Sequence, residues 1–463
     1  MTPYTIIFRE SGGAHSTALT AGQHFRCDIE EYEGFFGEPL PALLVDLLRI
    51  ASGIYVVDRL IKRRRQEQRR WWSRSLSLKV GLLEPDFWSD HEVHAALTET
   101  VEFLTDDTWE FSFDKDDRRR GRNGQKTLFR ISPESRVCLY SGGLDSAAGL
   151  ANRIANGPQS EVLPVTIWHQ PIQRRLIQKQ HKLLTSKYDV LISPLIMKAA
   201  LIWTPEIQPF REELTQRGRA FLFTAAGAVA AAMAGATSVE IYESGIGAIN
   251  LPFMAGMVGS RMTRSVHPEF VRNVSRLVSL VVEKPITFAI PFGDQTKGQL
   301  VKAAADHGLH DLVRSTVSCV HYPLRESRHK QCGVCPACIF RRQAVSVAGI
   351  REPATTYKYD LFDSPSKANR VSLKRLKYMR AFLDQVVQLD EVAPQRRLPA
   401  RLRRHLLGTR IITDEQSPGP IIRLLSEYRD EWREIAARAA RQGFSWAGLL
   451  EPSTPRQEGA SRA

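Results

Sequence analysis

The chain has 463 residues, 43% of them apolar, and a formal net charge of +14; this length exceeds what one hydrophobic core normally organises and predicts two or three domains. The longest apolar stretch, Ala220–Ala236, is too rich in alanine and glycine to span a bilayer, and no secretion signal is recognisable, so we expect a cytoplasmic protein without membrane contact. The positive charge permits binding of nucleic acid, nucleotides or acidic partners, but it does not select one of them.

The first 133 residues are predicted to form a separate, accessory α+β domain. Tyr4–Phe8 and Leu76–Leu82 have the composition or the alternation of strands, and Pro39–Lys62 has helical spacing. In Trp88–Leu104 apolar residues recur at helical intervals, and Ser89 is a suitable N-cap. This segment contains no recognisable catalytic motif.

Residues 134–350 have a different pattern, in which short apolar strands alternate with helices. This alternation predicts an α/β fold with a parallel sheet, in which ligands bind at the carboxyl ends of the strands. The predicted strands are Val137–Tyr140, Val162–Trp168, Val190–Leu195, Val239–Tyr242 and Ile286–Pro291. The predicted helices are Ser146–Ala155, Ile172–Ser186, Arg219–Ala234, Pro268–Val281 and Thr296–His307.

Residues 351–463 are basic and are predicted to form a helical extension that ends in a disordered tail. One apolar stripe is formed by residues that follow each other at steps of four, three, four and three: Ile421, Leu425, Tyr428, Trp432 and Ile435. A single short stripe is more often the buried face of a helix than a coiled-coil surface for a partner. We therefore expect this helix to pack on its own protein.

The segment Ser141-Gly142-Gly143-Leu144-Asp145-Ser146 follows a predicted buried strand and leads directly into a predicted helix. Two adjacent glycines allow a tight turn with accessible N–H groups, and the start of the helix adds unpaired donors and the positive end of its dipole. With two serine hydroxyls, this arrangement suits a pyrophosphate group. An ordinary strand–turn–helix connection is the alternative, but the motif occurs in the strand-to-helix context that a phosphate site requires.

Asp145 places a carboxylate among groups that would bind phosphate. It would repel a nucleotide triphosphate unless a cation intervened, so we infer that Mg²⁺ binds together with ATP. The lysine that follows the glycines in a Walker-type P-loop is missing, and the glycine spacing does not match the dinucleotide-binding fingerprint.

Four of the six cysteines form a cluster in the sequence: Cys319, Cys332, Cys335 and Cys338. Thiols stay reduced in the cytosol, so the cluster indicates a metal site rather than disulfides. Steps of three allow the last three cysteines to surround one ion, with Gly333 permitting the sharp turn. Four thiolates without an open position are typical of structural Zn²⁺, and an iron–sulfur cluster is the alternative.

Together these motifs resemble the 7-cyano-7-deazaguanine synthase family (QueC), whose PP-loop fold is similar to that of adenine nucleotide α-hydrolases. The resemblance extends to Gly218-Arg219 before the alanine-rich helix, to Pro268-Glu269-Phe270, and to Asp294-x-Thr296-Lys297 at the start of a helix. It covers Arg136 to Ile350, which is under half of the chain.

The resemblance implies an ATP pyrophosphatase-type ligase that adenylates the carboxylate of 7-carboxy-7-deazaguanine before an amine attacks, so that AMP and pyrophosphate are released. It implies three catalytic residues, Lys297, Arg219 and Asp145, around phosphates bound by the Ser141–Ser146 loop. It further implies that Glu269 binds the guanine-like edge of the substrate and that Phe270 or Phe253 packs on its ring. The implied cofactors are ATP, Zn²⁺ and Mg²⁺.

The chain departs from the family where substrate and nucleophile should bind. A Gly-Gln-x-His stretch of the family is replaced by His169–Arg175, a loop acid by Asn250, and Tyr-Pro-Asp-Cys by Arg264-Ser-Val-His267. The long segments at both ends resemble QatC-type proteins of bacterial antiphage Qat operons. That resemblance implies transfer of the activated acid to an amine on a partner protein from the same operon.

Three alternatives stay open. Nitrile synthesis from ammonia, as in the queuosine pathway, would use the same activation. A tRNA-modifying PP-loop enzyme is suggested by the basic stretches Lys62–Arg70 and Arg396–Arg404, although thiolation would need a free cysteine and Cys138 lies on a predicted core strand. A non-catalytic nucleotide-binding subunit of a defence complex is suggested by the altered pocket residues.

Overall fold

The computed structural model describes residues 3–10, 16–63, 73–118, 134–157, 161–210, 212–213, 215, 217–249, 251, 264–324, 329–390, 392, 398, 400–408 and 418–450. Phe253, Asn250, most of the basic run that follows Lys62, and the C-terminal tail lie outside these residues. Within the described ranges, no helix combines the length and the apolarity needed to cross a membrane.

The described residues form strands and helices throughout the chain. The strands are β1 (Thr5–Glu10), β2 (Thr17–Thr20), β3 (Phe25–Cys27), β4 (Ser75–Leu82), β5 (Thr108–Lys115), β6 (Arg136–Leu139), β7 (Val162–Trp168), β8 (Leu195–Leu201), β9 (Ser238–Ile241) and β10 (Thr287–Ala289). The helices are α1 (Glu30–Phe36), α2 (Ala42–Leu60), α3 (Pro85–Ser89), α4 (His91–Thr105), α5 (Leu144–Asn156), α6 (Pro171–Thr185), α7 (Gly218–Ala234), α8 (Gly245–Ile249), α9 (Pro268–Val282), α10 (Lys297–Asp306), α11 (His310–Ser315), α12 (Pro336–Val347), α13 (Pro365–Ala368), α14 (Leu373–Leu389), α15 (Ala400–Gly408) and α16 (Gly419–Arg441).

The larger sheet has the strand order β10-β9-β6-β7-β8-β3. Its strands are parallel except for β3, which runs antiparallel to β8 at one edge. The chain moves from β6 to β7 on one side and later to β9 on the other, so the strand order reverses at β6. Ligands of open α/β sheets bind at the carboxyl ends of the strands beside such a reversal. The predicted α/β fold with a parallel sheet and a helical C-terminal region is confirmed.

The alanine-rich stretch forms α7, which is buried between the larger sheet and α2. Its small residues allow close packing on both sides. A Cβ atom at Gly227 would lie 2.6 Å from Leu139 on β6, and one at Gly218 would lie 3.2 Å from the carbonyl oxygen of Ile54 on α2. The prediction of a helix at Arg219–Ala234 is therefore confirmed.

The N-terminal segment, residues 1–133, is predicted to be a separate domain, and in the structure it shares a sheet and a core with the rest of the chain. Its strand β3 completes the larger sheet, with Phe25–Cys27 paired to Ala199–Leu201. Its other strands form a four-stranded sheet of order β2-β1-β4-β5, and α2 and α4 pack on α7 and α9. The physical reason is that β8 would otherwise present unpaired backbone groups at an open sheet edge.

The C-terminal helices pack on the chain itself, as the stripe on α16 predicts. Leu425, Tyr428, Trp432 and Ile435 are buried, and α16 contacts α8, α12 and α14. The stripe therefore belongs to a second apolar core that also contains Ile339 of α12.

Two local predictions are wrong. The strand expected at Val190–Leu195 lies at Leu195–Leu201, because only there can it pair with both β7 and β3. Ser89 ends α3 and donates its hydroxyl to the Pro85 carbonyl, whereas the carboxylate of Asp90 caps α4 by accepting from two backbone N–H groups. Sequence alone does not separate these neighbouring caps.

Candidate active site and metal centre

The predicted phosphate loop connects β6 to α5 at the carboxyl end of the larger sheet. Gly142 has a φ of +74°, which favours glycine, and a Cβ there would lie 3.0 Å from Ile177. Gln180 of α6 fixes the turn, because its Nε2 donates to the Gly142 carbonyl at 3.1 Å while its Oε1 accepts from the Tyr140 hydroxyl at 2.9 Å. The turn is therefore fixed by its backbone and by two buried side chains.

The two serines of the loop meet at the start of α5. Their Oγ atoms lie 3.2 Å apart, and the N–H of Gly143 donates to the Ser141 hydroxyl at 3.3 Å. Ser141 is exposed, and α5 begins at Leu144 with the positive end of its dipole directed at this point. This geometry offers hydroxyls and N–H donors to a phosphate group.

Lys297, the first residue of α10, lies between two carboxylates. Its Nζ is 2.6 Å from Asp145 Oδ2 and 3.7 Å from Glu243 Oε1, and the three side chains are between 12% and 22% exposed. Lys297 and Asp145 lie in one site, as the sequence predicts, whereas Glu243 was not predicted. Glu243 comes two residues after the end of β9, so the signal available was its place at the end of a predicted strand.

Two groups of the cluster, Glu243 and Lys297, have shifted pKa values. Burial raises the pKa of Glu243, and the charge of Asp145 raises it further. Burial alone would lower the pKa of Lys297, but Asp145 and Glu243 outweigh it, so the lysine pKa lies above its ordinary value. Asp145 Oδ1 is buried without a hydrogen-bond partner among the described residues. A free carboxylate oxygen beside a second carboxylate fits the preference of Mg²⁺ for oxygen ligands.

A cavity of about 330 Å³ opens beside the loop. Its polar lining comes from the loop, from the residues that begin α7, from the end of β9 and from the start of the α9 segment: Ser141, Ser146, Arg217, Arg219, Glu243 and Arg264. The predicted residue Arg219 is thus brought to the same place as the phosphate loop, and its side chain is exposed there.

The predicted substrate-binding residues on α9 do not line this cavity. Phe270 is 0% exposed and belongs to the main core, because it lies on the buried face of an amphipathic helix. Glu269 is buried as well and forms an ion pair with Arg272. The roles of Glu269 and Phe270 in substrate binding stay predictions, and Phe253 lies outside the described residues.

The four clustered cysteines converge as predicted. Their Sγ atoms all lie within 4.8 Å of one another, and those of Cys332 and Cys338 are 3.8 Å apart. Zn–S bonds of about 2.3 Å at tetrahedral angles place sulfurs about 3.8 Å apart, so the group fits Zn²⁺. The N–H of Cys332 donates to Cys319 Sγ at 3.4 Å and that of Cys335 to Cys332 Sγ at 3.3 Å, which favours thiolates.

The turn between Cys332 and Cys335 requires glycine at position 333. Gly333 has a φ of +84°, and a Cβ there would lie 1.9 Å from the Tyr359 carbonyl oxygen. The N–H of Tyr359 donates to the Cys332 carbonyl at 3.1 Å, and the backbones of Gln331 and Tyr357 pair as an isolated parallel β-bridge. The segment after residue 351 therefore covers the cysteine turn, and Cys335 leads directly into α12.

The start of α10 is held by α16 of the C-terminal segment. Thr296, the N-cap of α10, donates its hydroxyl to Glu431, and Gln343 of α12 donates to the same carboxylate at 2.6 Å. Burial raises the pKa of Glu431 to about 7, although the hydrogen bonds from Thr296 and Gln343 act in the opposite direction. Glu431 therefore binds the residue that directly precedes Lys297 and fixes the start of the helix that carries this lysine.

We expect the cysteine cluster to hold about one Zn²⁺ per chain. Cys335→Ser should lose the metal and lower the thermal stability, because the remaining thiolates no longer saturate the ion. Elemental analysis of purified protein measures the zinc. Cys138→Ala, which removes a buried thiol outside the cluster, is the control and should keep the zinc. Equal zinc in both variants would contradict the site.

The raised pKa of Glu431 predicts a pH dependence of stability. Because the folded pKa of about 7 exceeds the ordinary value of 4.5, the folded protein keeps a proton that the unfolded chain has lost. The stability that the protonated Glu431 contributes is fully present below the unfolded pKa of 4.5 and is lost as the pH rises through the folded pKa of about 7. Glu431→Gln cannot ionise and should not lose this stability. The difference in free energy of unfolding between the variant and the unmodified protein should therefore shift in favour of the variant by about 1–3 kcal/mol from pH 5 to pH 8.

Urea denaturation at several pH values measures this difference. Asp430→Asn, next in the chain and 64% exposed, is the matched control and should give a curve parallel to that of the unmodified protein. Parallel curves for Glu431→Gln as well would show that Glu431 does not titrate in this range.

Comparison with known proteins adds to this geometry. Residues 265–349, which include Lys297 and the four cysteines, match the family model described as Queuosine biosynthesis protein QueC. The chain is 27% identical to the 7-cyano-7-deazaguanine synthase of Sulfolobus acidocaldarius over 233 residues, which is 47% of this chain and 46% of that protein. It is 30% identical to the protein of the same name from Acinetobacter baylyi over 91 residues, which is 19% of this chain and 38% of that protein.

The chain thus spans less than half the length of both curated relatives. The regions that match nevertheless include the metal ligands and the lysine of the acid–lysine cluster. Together, the family-model match and the two distant relatives support a QueC-like family for this chain.

Proposed function

We propose that this protein uses ATP to activate the carboxylate of 7-carboxy-7-deazaguanine as an acyl-adenylate and then transfers the acyl group to an amine. The observation that carries the proposal is the cluster of Lys297, Asp145 and Glu243 at the Ser141–Ser146 loop. It lies at the edge of the sheet where α/β proteins bind nucleotides. The names of both relatives support the deazaguanine part of the proposal.

In the first step, a carboxylate oxygen of the substrate attacks the α-phosphorus of ATP. The bond from that phosphorus to the bridging oxygen breaks, and pyrophosphate leaves toward the hydroxyls of Ser141 and Ser146 and the N–H groups at the start of α5. Lys297, kept charged by its neighbours, stabilises the developing negative charge. Mg²⁺ held by Asp145 and Glu243 would neutralise further phosphate charge.

In the second step, an amine attacks the acyl carbon, AMP leaves, and the amine loses a proton as the amide forms. We propose that the amine belongs to a partner protein from the same operon and that the reaction serves antiphage defence. The support is the resemblance of the long terminal segments to QatC-type proteins. With ammonia as the amine, the same step would give a primary amide. A second activation by ATP, in which the amide oxygen leaves with AMP, would then give the nitrile of the queuosine pathway.

The cysteines outside the cluster argue against a thiolating tRNA enzyme. Cys138 is 0% exposed on β6 and Cys27 is 1% exposed on β3. Burial raises the pKa of both thiols, which opposes formation of the nucleophilic thiolate. With the other four thiols committed to the metal site, no cysteine of the chain is placed for sulfur transfer.

Lys297→Met tests the activation step. It should lower acid-dependent release of AMP and pyrophosphate by about 100-fold or more, because the cation at the reacting phosphate is removed. Lys302→Met is the matched control on the same helix, since Lys302 is 56% exposed and pairs only with Asp306 in the ion pairs described. It should keep activity within about twofold. ATP binding without AMP formation in the unmodified protein would favour the non-catalytic alternative.

The acceptor is tested by mass. We expect the product of the neighbouring gene, co-expressed with this protein, to gain the mass of a deazaguanine acyl group. The gain should disappear with Asp145→Ala, which removes the carboxylate that lies 2.6 Å from Lys297. An unmodified neighbour, together with intact acid-dependent AMP release, would exclude a protein acceptor and leave ammonia as the amine.

A further inference from the structure

Two arginines of the cavity have no role in the activation step described above. Arg217 and Arg264 line the same cavity as the phosphate loop, together with Arg219. They come from different parts of the chain: Arg217 precedes α7, and Arg264 lies four residues before α9. Their charges are close enough that Arg264 lowers the pKa of Arg217, although burial is the largest cause of that shift.

Both arginines are held by the C-terminal end of α4. Arg264 donates Nη1 to the Phe103 carbonyl at 2.7 Å and lies 3.4 Å from Asp106 Oδ1, and Arg217 donates Nη1 to the Thr105 carbonyl at 3.1 Å. The last turn of α4 contains no basic residue of its own. Its unpaired carbonyls and the negative end of its dipole therefore attract these guanidinium groups.

The same helix end is fixed in the core by a buried ion network. Asp107, two residues after the end of α4, pairs with Arg63 and lies 2.6 Å from Arg74 Nη2. Asp58 of α2 lies 2.5 Å from Arg74 and accepts a hydrogen bond of 2.7 Å from the N–H of Gly218, the first residue of α7. The end of α4 and the start of α7 are thus joined by one buried network of ion pairs and hydrogen bonds.

The cavity carries more positive charge than its own carboxylates neutralise. Arg219 takes part in no ion pair among the described residues, and the side chain of Arg264 stays 22% exposed. Burial, together with the charge of Arg63, lowers the pKa of Arg217 to about 10. Positive charge held in a partly closed space favours an anionic ligand.

We propose that Arg264 and Arg217 form a second anion subsite, beside the phosphate loop, that binds the carboxylate of the substrate while it is activated. The inference rests on the proposed function and adds the residues that would recognise the carboxylate of its substrate. The carboxylate and the α-phosphate repel each other as they approach bonding distance, and the repulsion is strong away from water. Guanidinium groups match the geometry of a carboxylate and offset that repulsion.

The test is made on full-length protein saturated with α,β-methylene-ATP, which cannot release pyrophosphate. Calorimetric titration compares 7-carboxy-7-deazaguanine with 7-cyano-7-deazaguanine, which has the same ring but no carboxylate. In Arg264→Gln we expect the Kd of the acid to rise about tenfold or more, while the Kd values of the nitrile and of the nucleotide analogue change by less than about threefold. An unchanged Kd for the nucleotide also shows that the variant is folded.

Two variants control for position and charge. Arg276→Gln removes a guanidinium that is 53% exposed on α9, away from the cavity lining, and should leave all three Kd values unchanged. Asp106→Asn removes the acidic neighbour of Arg264 but keeps the arginine, so binding of the acid should be retained. Loss of acid binding in Arg276→Gln to the same extent would overturn the assignment.

The outcomes separate this inference from the proposed function. Equal affinity of Arg264→Gln and the unmodified protein for the acid overturns the subsite. If the unmodified protein binds neither deazaguanine, the substrate named in the proposed function is wrong, and inorganic phosphate replaces it as the probe on the nucleotide-loaded protein. Phosphate binding that Arg264→Gln loses then supports the subsite, and phosphate binding that is absent or unchanged overturns it.

Discussion

The ion pair between Lys297 and Asp145 is the contact on which the site depends. Each residue lies in the first turn of its helix, so the lysine stands where two helix dipoles would repel a cation. Asp145 and Glu243 offset this repulsion and the cost of burial, which is why the lysine keeps its charge. The three groups together hold a cation at a place that is otherwise built for anions. An incoming triphosphate therefore meets a lysine that is already positioned and charged.

The C-terminal segment acts on this lysine through packing. The ring of Phe340 lies 4.4 Å from Lys297 Nζ, and it packs in turn on Phe382 of α14 and Tyr428 of α16. Glu431 binds the N-cap of the helix that starts with Lys297. The helices after residue 351 thus pack on the ring that contacts the ammonium group, and they also bind the start of α10. These contacts give the extension a physical role in the site.

Sequence patterns predicted the parts of the site that are local. The glycine turn, the start of α10 and the cysteine cluster are each specified by residues within one short segment. Glu243 was missed although it follows a predicted strand, because a lone acid at a strand end has no pattern of its own. Arg217 and Arg264 could not be predicted, since their common anchor is a helix end more than 100 residues away in the chain. The ring contact expected of Phe270 stays a prediction, and in the structure this residue packs in the main core.

Contacts cross both of the boundaries that the sequence pattern predicts, near residues 133 and 350. At the first, β3 and the end of α4 complete the sheet and the cavity wall. At the second, Arg341 of α12 lies 2.7 Å from Glu352, with both side chains at most 1% exposed. A cut between these two residues would leave a buried guanidinium without its counter-charge, which costs about 3–5 kcal/mol in proteins. The site is therefore a composite of all three segments. Its charged side chains lie between residues 136 and 350, and the segments on both sides anchor them: the end of α4 binds Arg217 and Arg264, and Glu431 of α16 fixes the start of α10.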